Sequence, residues 1–304
     1  MNKFFLLLPL LLFGSLCLSS CQDAPSKDKQ TILTGRIKVL VDESLAPIVQ
    51  EQLEVFQVSY KNAEIELVIK PENMVVNDLI NDSAEVAVLT RLLRPEEQKF
   101  FEKRGFKPRV SQFATDAVTF VTNATKGDTT ITMEEVLATL RGEGEGRTLI
   151  FDNPNSGTVR FLKELAGVET FPDQKVFALT NHNEVIAYVH DHPGTVGVIG
   201  LNWMLKPDSA SRKFLRKVRT MSVKNLAGNP GDDDFYLPSQ SNLALDLYAL
   251  ERPVYLINAE PRYGLGMGFA AFMSGERGQR IVLKSGLMPD SLPPRRIILR
   301  TNSK

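Results

Sequence analysis

The chain has 304 residues, with 36 Lys plus Arg against 36 Asp plus Glu, so its formal net charge is zero. That balance argues against general nucleic-acid binding, which normally leaves a basic excess or stripe. Apolar residues make up 43% of the chain, as in an ordinary globular protein, and its two cysteines, Cys17 and Cys21, leave the body no pair to bridge.

The N-terminus speaks to compartment. Lys3 precedes an apolar run over residues 4–16, which has the length of a signal-peptide core and is short for a bilayer span. The run ends in Leu18-Ser19-Ser20-Cys21, small residues before a cysteine, which resembles the lipobox of bacterial lipoproteins. The resemblance implies a signal peptide over residues 1–20, cleavage before Cys21, and a lipid on that cysteine. The alternative is a plain secretory peptide cut nearby. Residues 22–34 are charged and polar with no apolar periodicity, so 21–34 reads as a lipidated tether. The expected location is the bacterial cell envelope, with a body outside the bilayer and a lipid in a membrane.

Beyond the tether about 270 residues remain, enough for two lobes or one large domain. Short β-branched runs alternate with helical patterns, which predicts an α/β fold. Strands are expected at residues 36–41, 65–69 and 85–89. Helices are expected from Ser44, with Pro47 in its first turn, over 73–81, and from Arg94-Pro95-Glu96-Glu97. This order makes a mostly parallel sheet with right-handed crossovers.

Residues 110–123 form a long extended run with Thr115-Asp116 at its centre, suited to crossing between lobes. Thr132-Met133-Glu134-Glu135 reads as a capping box opening a helix. Residues 148–151 then read as a strand, 152–155 as a polar turn, and Ser156-Gly157-Thr158 as the first turn of a helix. Free backbone N–H groups and two hydroxyls at the positive end of a helix dipole suit an anion, although Ser and Thr also cap ordinary helices. Further on, a helix is expected over 181–190, a strand over 195–199, and a return to the first lobe over 217–223. A helix over 241–250 and a long amphipathic helix from near Gly264 through Leu283 complete the chain.

Several segments together resemble the substrate-binding protein family of bacterial phosphate ABC transporters. They are Val88-Leu89-Thr90-Arg91 followed by Glu96, Ala114-Thr115-Asp116-Ala117-Val118, Ser156-Gly157-Thr158 with Phe161, and Pro193-Gly194-Thr195-Val196-Gly197. Arg252-Pro253-Val254-Tyr255 and the ending Lys284-Ser285-Gly286-Leu287-Met288-Pro289 continue the series in family order. The resemblance implies a two-lobed periplasmic binding protein-like fold of type II, each lobe a mostly parallel mixed sheet flanked by helices. It places lobe 1 at 35–115 plus 241–304 and lobe 2 at 116–240, with a ligand cleft between them.

For the site, the resemblance implies ligand contacts from Ser44, Asp116, Ser156, Gly157 and Thr158, with Arg91 as an added cation. Asp116 would accept a hydrogen bond from a protonated ligand oxygen, which favours phosphate over sulfate. Two positions depart from the family. Pro71-Glu72-Asn73 replaces a Gly-Ser pair at the start of the second helix. Asp152 stands four residues before Ser156, where the family places its phosphate-pairing Arg. Bidentate Arg is the strong donor to a dianion, so Asp152 beside Asp116 repels phosphate unless Arg91 or Arg160 compensates, or Asp152 points outward.

The expected partners are a small phosphate-like anion, an ABC permease and a membrane reached through Cys21. The chain is expected to be monomeric, with no cofactor and no catalytic residue. The alternative function is an envelope interaction module that keeps the fold without high-affinity phosphate binding. Gly264-Leu265-Gly266-Met267-Gly268 lacks the βαβ context of a dinucleotide loop. Asp232-Asp233-Asp234 lacks the alternating ligands of a calcium loop. His182, His190 and His192 lack a recognised metal spacing, so no metal is expected, and Ser156 lacks the elbow and base of a nucleophile.

Overall fold

The computed structural model describes residues 30–292 except 127 and 145. The expected signal peptide, Cys21 and most of the expected tether lie outside the described residues. Strand β1 (Gly35–Asp42) leads through a 3-10 turn, Glu43–Leu45, into α1 (Ala46–Ser59), with Pro47 in the first turn where no N–H bond is lost. Then follow β2 (Ala63–Lys70), α2 (Glu72–Ile80), β3 (Val86–Leu89) and α3 (Pro95–Glu102). Both β2 and β3 pair parallel with β1. The second half of β1, from Val39 to Asp42, is buried residue after residue because helices cover both faces of the sheet.

The element that joins the two halves is β4 (Arg109–Asn123), 15 residues long. From Arg109 to Ala117 it pairs antiparallel with β11 (Glu251–Asn258), and from Val118 to Val121 it pairs with β8 (Val196–Gly200). The change of partner falls one residue after Asp116, where the sequence suggests a crossing. The second half holds β5 (Thr130–Thr132), α4 (Met133–Arg141), β6 (Leu149–Phe151), α5 (Gly157–Ala166), β7 (Val176–Ala178) and α6 (His182–Asp191). After β8 come α7 (Leu201–Leu205), β9 (Val218–Thr220) and β10 (Ser222–Lys224).

Along the main path the strand order is β2-β1-β3-β11-β4-β8-β6-β7, while β10 and β5 form a separate pair. The result is two α/β lobes sharing one long strand. The chain ends with α8 (Gln240–Ala244), β11, α9 (Leu265–Ser274), α10 (Glu276–Ser285) and β12 (Met288–Pro289). Phe56 of α1 packs edge-on against Phe269 and Phe272 of α9, centroids 5.2 and 5.3 Å apart, and fixes one helical layer.

Three expectations change. The segment at 217–223 stays in the second lobe, because β9 pairs antiparallel with Val121–Asn123 of β4. The helix expected over 241–250 stops at Ala244, where Asp246 takes a left-handed φ of 54° and Leu247 N–H closes back on the Asn242 carbonyl. The long C-terminal helix is two, because Gly275 sits extended between α9 and α10. Among the described residues, no helix is long and apolar enough to cross a membrane.

Candidate functional site

The two lobes meet where β1, β3, β4, β6, β8 and β11 run past one another. Asp42 ends β1, and its carboxylate accepts from Ser44 N–H at 3.1 Å and Ser44 Oγ at 3.0 Å. That cap aims the Ser44 hydroxyl into the interior. From β11, Arg252 reaches the same point and donates through Nη2 to Ser44 Oγ at 3.0 Å. It also donates to Asp116 Oδ2 from Nη2 at 2.8 Å and Nε at 3.1 Å, and from Nη1 to Thr158 Oγ1 at 3.4 Å. Both side chains of the Arg252–Asp116 pair are wholly buried. Gly200 makes room for them, since a Cβ there would lie 3.2 Å from both Arg252 Nη2 and the Ser44 carbonyl oxygen.

Of the six residues expected at the ligand, Ser44, Asp116 and Thr158 therefore converge on a single guanidinium. Ser156 turns the other way. It caps α5 by accepting from Val159 N–H at 3.2 Å and donates to Asp152 Oδ1 at 2.7 Å. Gly157 backs directly onto the first lobe, where a Cβ would lie 2.4 Å from Asp42 Oδ2 and 2.7 Å from Glu72 Oε2. The positive end of α5 thus faces two carboxylates of the chain itself.

Arg91 and Arg160, the cations weighed as compensation for Asp152, close on Glu72 instead. Arg91 Nε and Arg160 Nε donate to Glu72 Oε1 at 3.0 and 2.6 Å. Arg91 also grips Glu97 through both terminal nitrogens, and Arg160 reaches Glu164 at 2.6 Å. The cation beside Asp116 is Arg252. Asp152 does not point outward: it is fully buried, and its Oδ2 lies 3.0 Å from His182 Nε2.

The electrostatics follow from this crowding of acids. Burial, then the charge of Glu72, pushes Asp42 up to about 7, with Arg252 opposing. Burial together with Asp152 and Asp42 pushes Glu43 up to about 8. Burial holds the His182 imidazole below its ordinary value, while Asp152 pulls the other way. The site mixes a guanidinium and hydroxyls that suit an anion with carboxylates that repel one.

The lobes are also tied across the cleft. Arg94 pairs with Glu164 at 3.0 Å, Lys206 with Glu51 at 2.7 Å, and Trp203 Nε1 donates to the Glu43 carbonyl at 3.1 Å. The glycine-rich start of α9 has an internal partner as well. Glu260 accepts from Gly266 N–H and Met267 N–H, both at 3.1 Å, so a side-chain carboxylate occupies that helix end.

Arg252, Glu72 and Asp42 stand at the site although sequence reasoning did not assign them to it. The signal for Arg252 is a cation followed by the largely apolar run Pro253 to Ile257 of β11, a placement that asks for a buried partner. The signal for Glu72 is weaker, because an acid in the first turn of a helix is ordinary on a surface.

A family model described as the PBP superfamily domain matches residues 24–277. The chain belongs to the PBP superfamily. Among solved structures, this PBP-superfamily member is similar to a Clostridium perfringens protein described as a phosphate ABC transporter substrate-binding protein, solved with bound phosphate. The two share 16% identity with a TM-score of 0.65, covering 84% of this chain and 100% of that one. An ABC-type phosphate transport receptor from Vibrio cholerae is similar at 15% identity and a TM-score of 0.63, over 84% and 100% of the two chains. The regulatory domain of CcmR from Synechocystis, in complex with 2-PG, is similar at 12% identity and a TM-score of 0.53, over 79% and 96%. A sequence comparison with curated proteins returned no match. At these identities the likeness establishes the PBP fold, which serves transport receptors and regulatory domains alike.

Proposed function

We propose that this chain is a membrane-tethered, non-enzymatic binding protein of the PBP superfamily that has turned its oxyanion cradle inward. It works as an envelope interaction module rather than as a phosphate carrier. One observation carries this reading: Arg252 takes the hydroxyls of Ser44 and Thr158 and pairs with Asp116, while Asp42 and Glu72 face the start of α5 at Gly157. The hydroxyls of Ser44 and Thr158 and one oxygen of Asp116 are therefore already engaged by Arg252 within the chain. A dianion entering there would meet Asp42, Glu72 and Asp116, and the like charges would cost it more than the hydroxyls return. The lobes at 35–115 plus 241–304 and at 116–240 would then signal through how tightly they close on one another.

The second reading is capture of a small oxyanion, phosphate or a relative, for an ABC permease. The convergence of two hydroxyls, an arginine and Asp116 favours it, since together they offer both donors and the acceptor that hydrogen phosphate needs. In this reading Glu72 swings away when the lobes open, and the anion replaces it against Gly157.

Calorimetric titration of the full-length protein with phosphate, sulfate and a phosphonate separates the two. We expect no saturable heat and no thermal shift with any of the three. Tight phosphate binding that disappears in Asp116→Asn would overturn the first reading and establish the second.

A further inference from the structure

The acids Glu43 and Asp152 and the imidazole of His182 form a cluster that the Arg252 network leaves out. Each offers one ligand atom, and these atoms all lie within 4.8 Å of one another. Asp152 and His182 are completely buried. Their facing atoms, Oδ2 and Nε2, sit 3.0 Å apart but out of line for a hydrogen bond, and among the described residues both lack a hydrogen-bond partner. Glu43 Oε1 lacks one as well. Buried polar atoms without partners are uncommon in folded proteins, and three facing one point ask for a bound group.

We propose that Glu43, Asp152 and His182 bind a first-row divalent transition-metal ion, with zinc the best match. The donor set of one imidazole and two carboxylates fits such an ion, whereas calcium and magnesium prefer six or more oxygens. A tetrahedral ion with bonds of about 2.0–2.2 Å spaces its ligands about 3.3–3.6 Å apart. The Asp152–His182 edge is already near that spacing, and a small shift of Glu43 completes the triangle.

The surroundings fit the role. The His182 ring stacks on Trp203 with centroids 4.8 Å apart, and Trp203 also holds the Glu43 carbonyl, so one indole orients two of the ligands. Asp152 is steadied through its other oxygen by Ser156 Oγ and Asn153 N–H. Glu43 and His182 also line a cleft of about 680 Å³ between α1 and α6–α7, through which an ion and a fourth ligand can reach the site. A dication balances two carboxylates that no arginine reaches.

The placement gives the ion a mechanical consequence. Glu43 follows β1 of the first lobe, while Asp152 follows β6 and His182 opens α6 of the second. A bound ion therefore staples the lobes, and metal supply would set the closed population.

The test strips full-length protein with a chelator and titrates it with Zn²⁺ by calorimetry, using Mg²⁺ as the control. Co²⁺ supplies a visible-absorption readout of tetrahedral coordination. The expected result is one Zn²⁺ per chain, a rise in melting temperature, a tetrahedral Co²⁺ spectrum and little response to Mg²⁺. Glu43→Gln, which changes a half-buried residue conservatively, and His182→Gln should each weaken Zn²⁺ binding at least about tenfold. Metal-free Glu43→Gln should keep the wild-type circular dichroism, so its loss of binding reports ligation rather than unfolding. Absence of saturable Zn²⁺ and Co²⁺ binding would overturn the proposal. So would one-to-one binding that survives Glu43→Gln and His182→Gln but is lost in His190→Ala, whose ring lies against Asp191 on the surface.

Discussion

Arg252 and Asp116 form a fully buried ion pair, Nη2 to Oδ2 2.8 Å, one residue before β4 leaves one lobe for the other. Removing one member leaves the other charged and dry, which typically costs about 3–5 kcal/mol. Arg252→Ala should lose stability on that scale in urea unfolding. The double variant Arg252→Met with Asp116→Leu should recover a large part of it. A single-variant cost under about 1 kcal/mol would show that water reaches the pair.

Glu72 is the hub that holds Arg91 and Arg160, and only Arg160 comes from the second lobe. Glu72→Gln keeps the shape and removes the charge, so the lobe-to-lobe tie weakens and the start of α5 loses one facing anion. Small-angle scattering should show a larger radius of gyration for the variant. Phosphate, expected to give no saturable heat with the wild type, should bind the variant measurably, the effect of deleting one nearby like charge in a dry site. An unchanged radius with unchanged phosphate response would refute the latch.

Asp42 and Glu43 link the cleft to pH. Both carry folded-state values above the ordinary carboxylate range, about 7 and about 8, so the folded chain keeps protons that the unfolded chain has released. Their contribution to stability is fully present below about pH 4 and is lost as pH rises through 7–8. Glu135, held below the ordinary range by hydrogen bonds from Arg147, acts with the opposite sign and loses its contribution in acid. With a chelator present, the melting temperature should be higher at pH 5.5 than at pH 8.5, and Asp42→Asn should flatten the difference. A melting temperature that climbs from pH 5.5 to 8.5 would contradict this assignment.

Cys21 tests the tether. Expressed with residues 1–20 in a bacterial host, the wild-type chain should fractionate with membranes, and Cys21→Ala should move it to the soluble fraction. Retention of the variant on membranes would point to a different anchor.

Much of the architecture can be read along the chain, because it rests on local chemistry. Alternating β-branched runs and capped helices announce an α/β chain, and the long extended run around Asp116 marks the strand shared by both lobes. Where the reading fails, a local exception wins. Asp246 in a left-handed conformation ends α8 early, Gly275 divides what looks like one long helix, and β9 pairs with the far end of β4 instead of leaving the lobe.

The candidate site is legible only in part. Ser44, Asp116 and Thr158 can be nominated because strand ends and helix starts are local features. Whether their hydroxyls and carboxylate face a solute or the chain's own groups depends on side chains far away in sequence. Arg252 arrives from 136 residues beyond Asp116, and Arg160 meets Glu72 across 88. Asp152 shows the limit most plainly. From its position it is an acid standing where a cation is expected, and local chemistry cannot choose between an outward turn and compensation by a neighbour. Packing brings His182 and Glu43 to it from two different lobes, in a dry interior where a charge left unpartnered is costly. Local propensity therefore writes the fold and the list of polar groups, while long-range packing selects each group's partner, and with it the ligand the cleft can take.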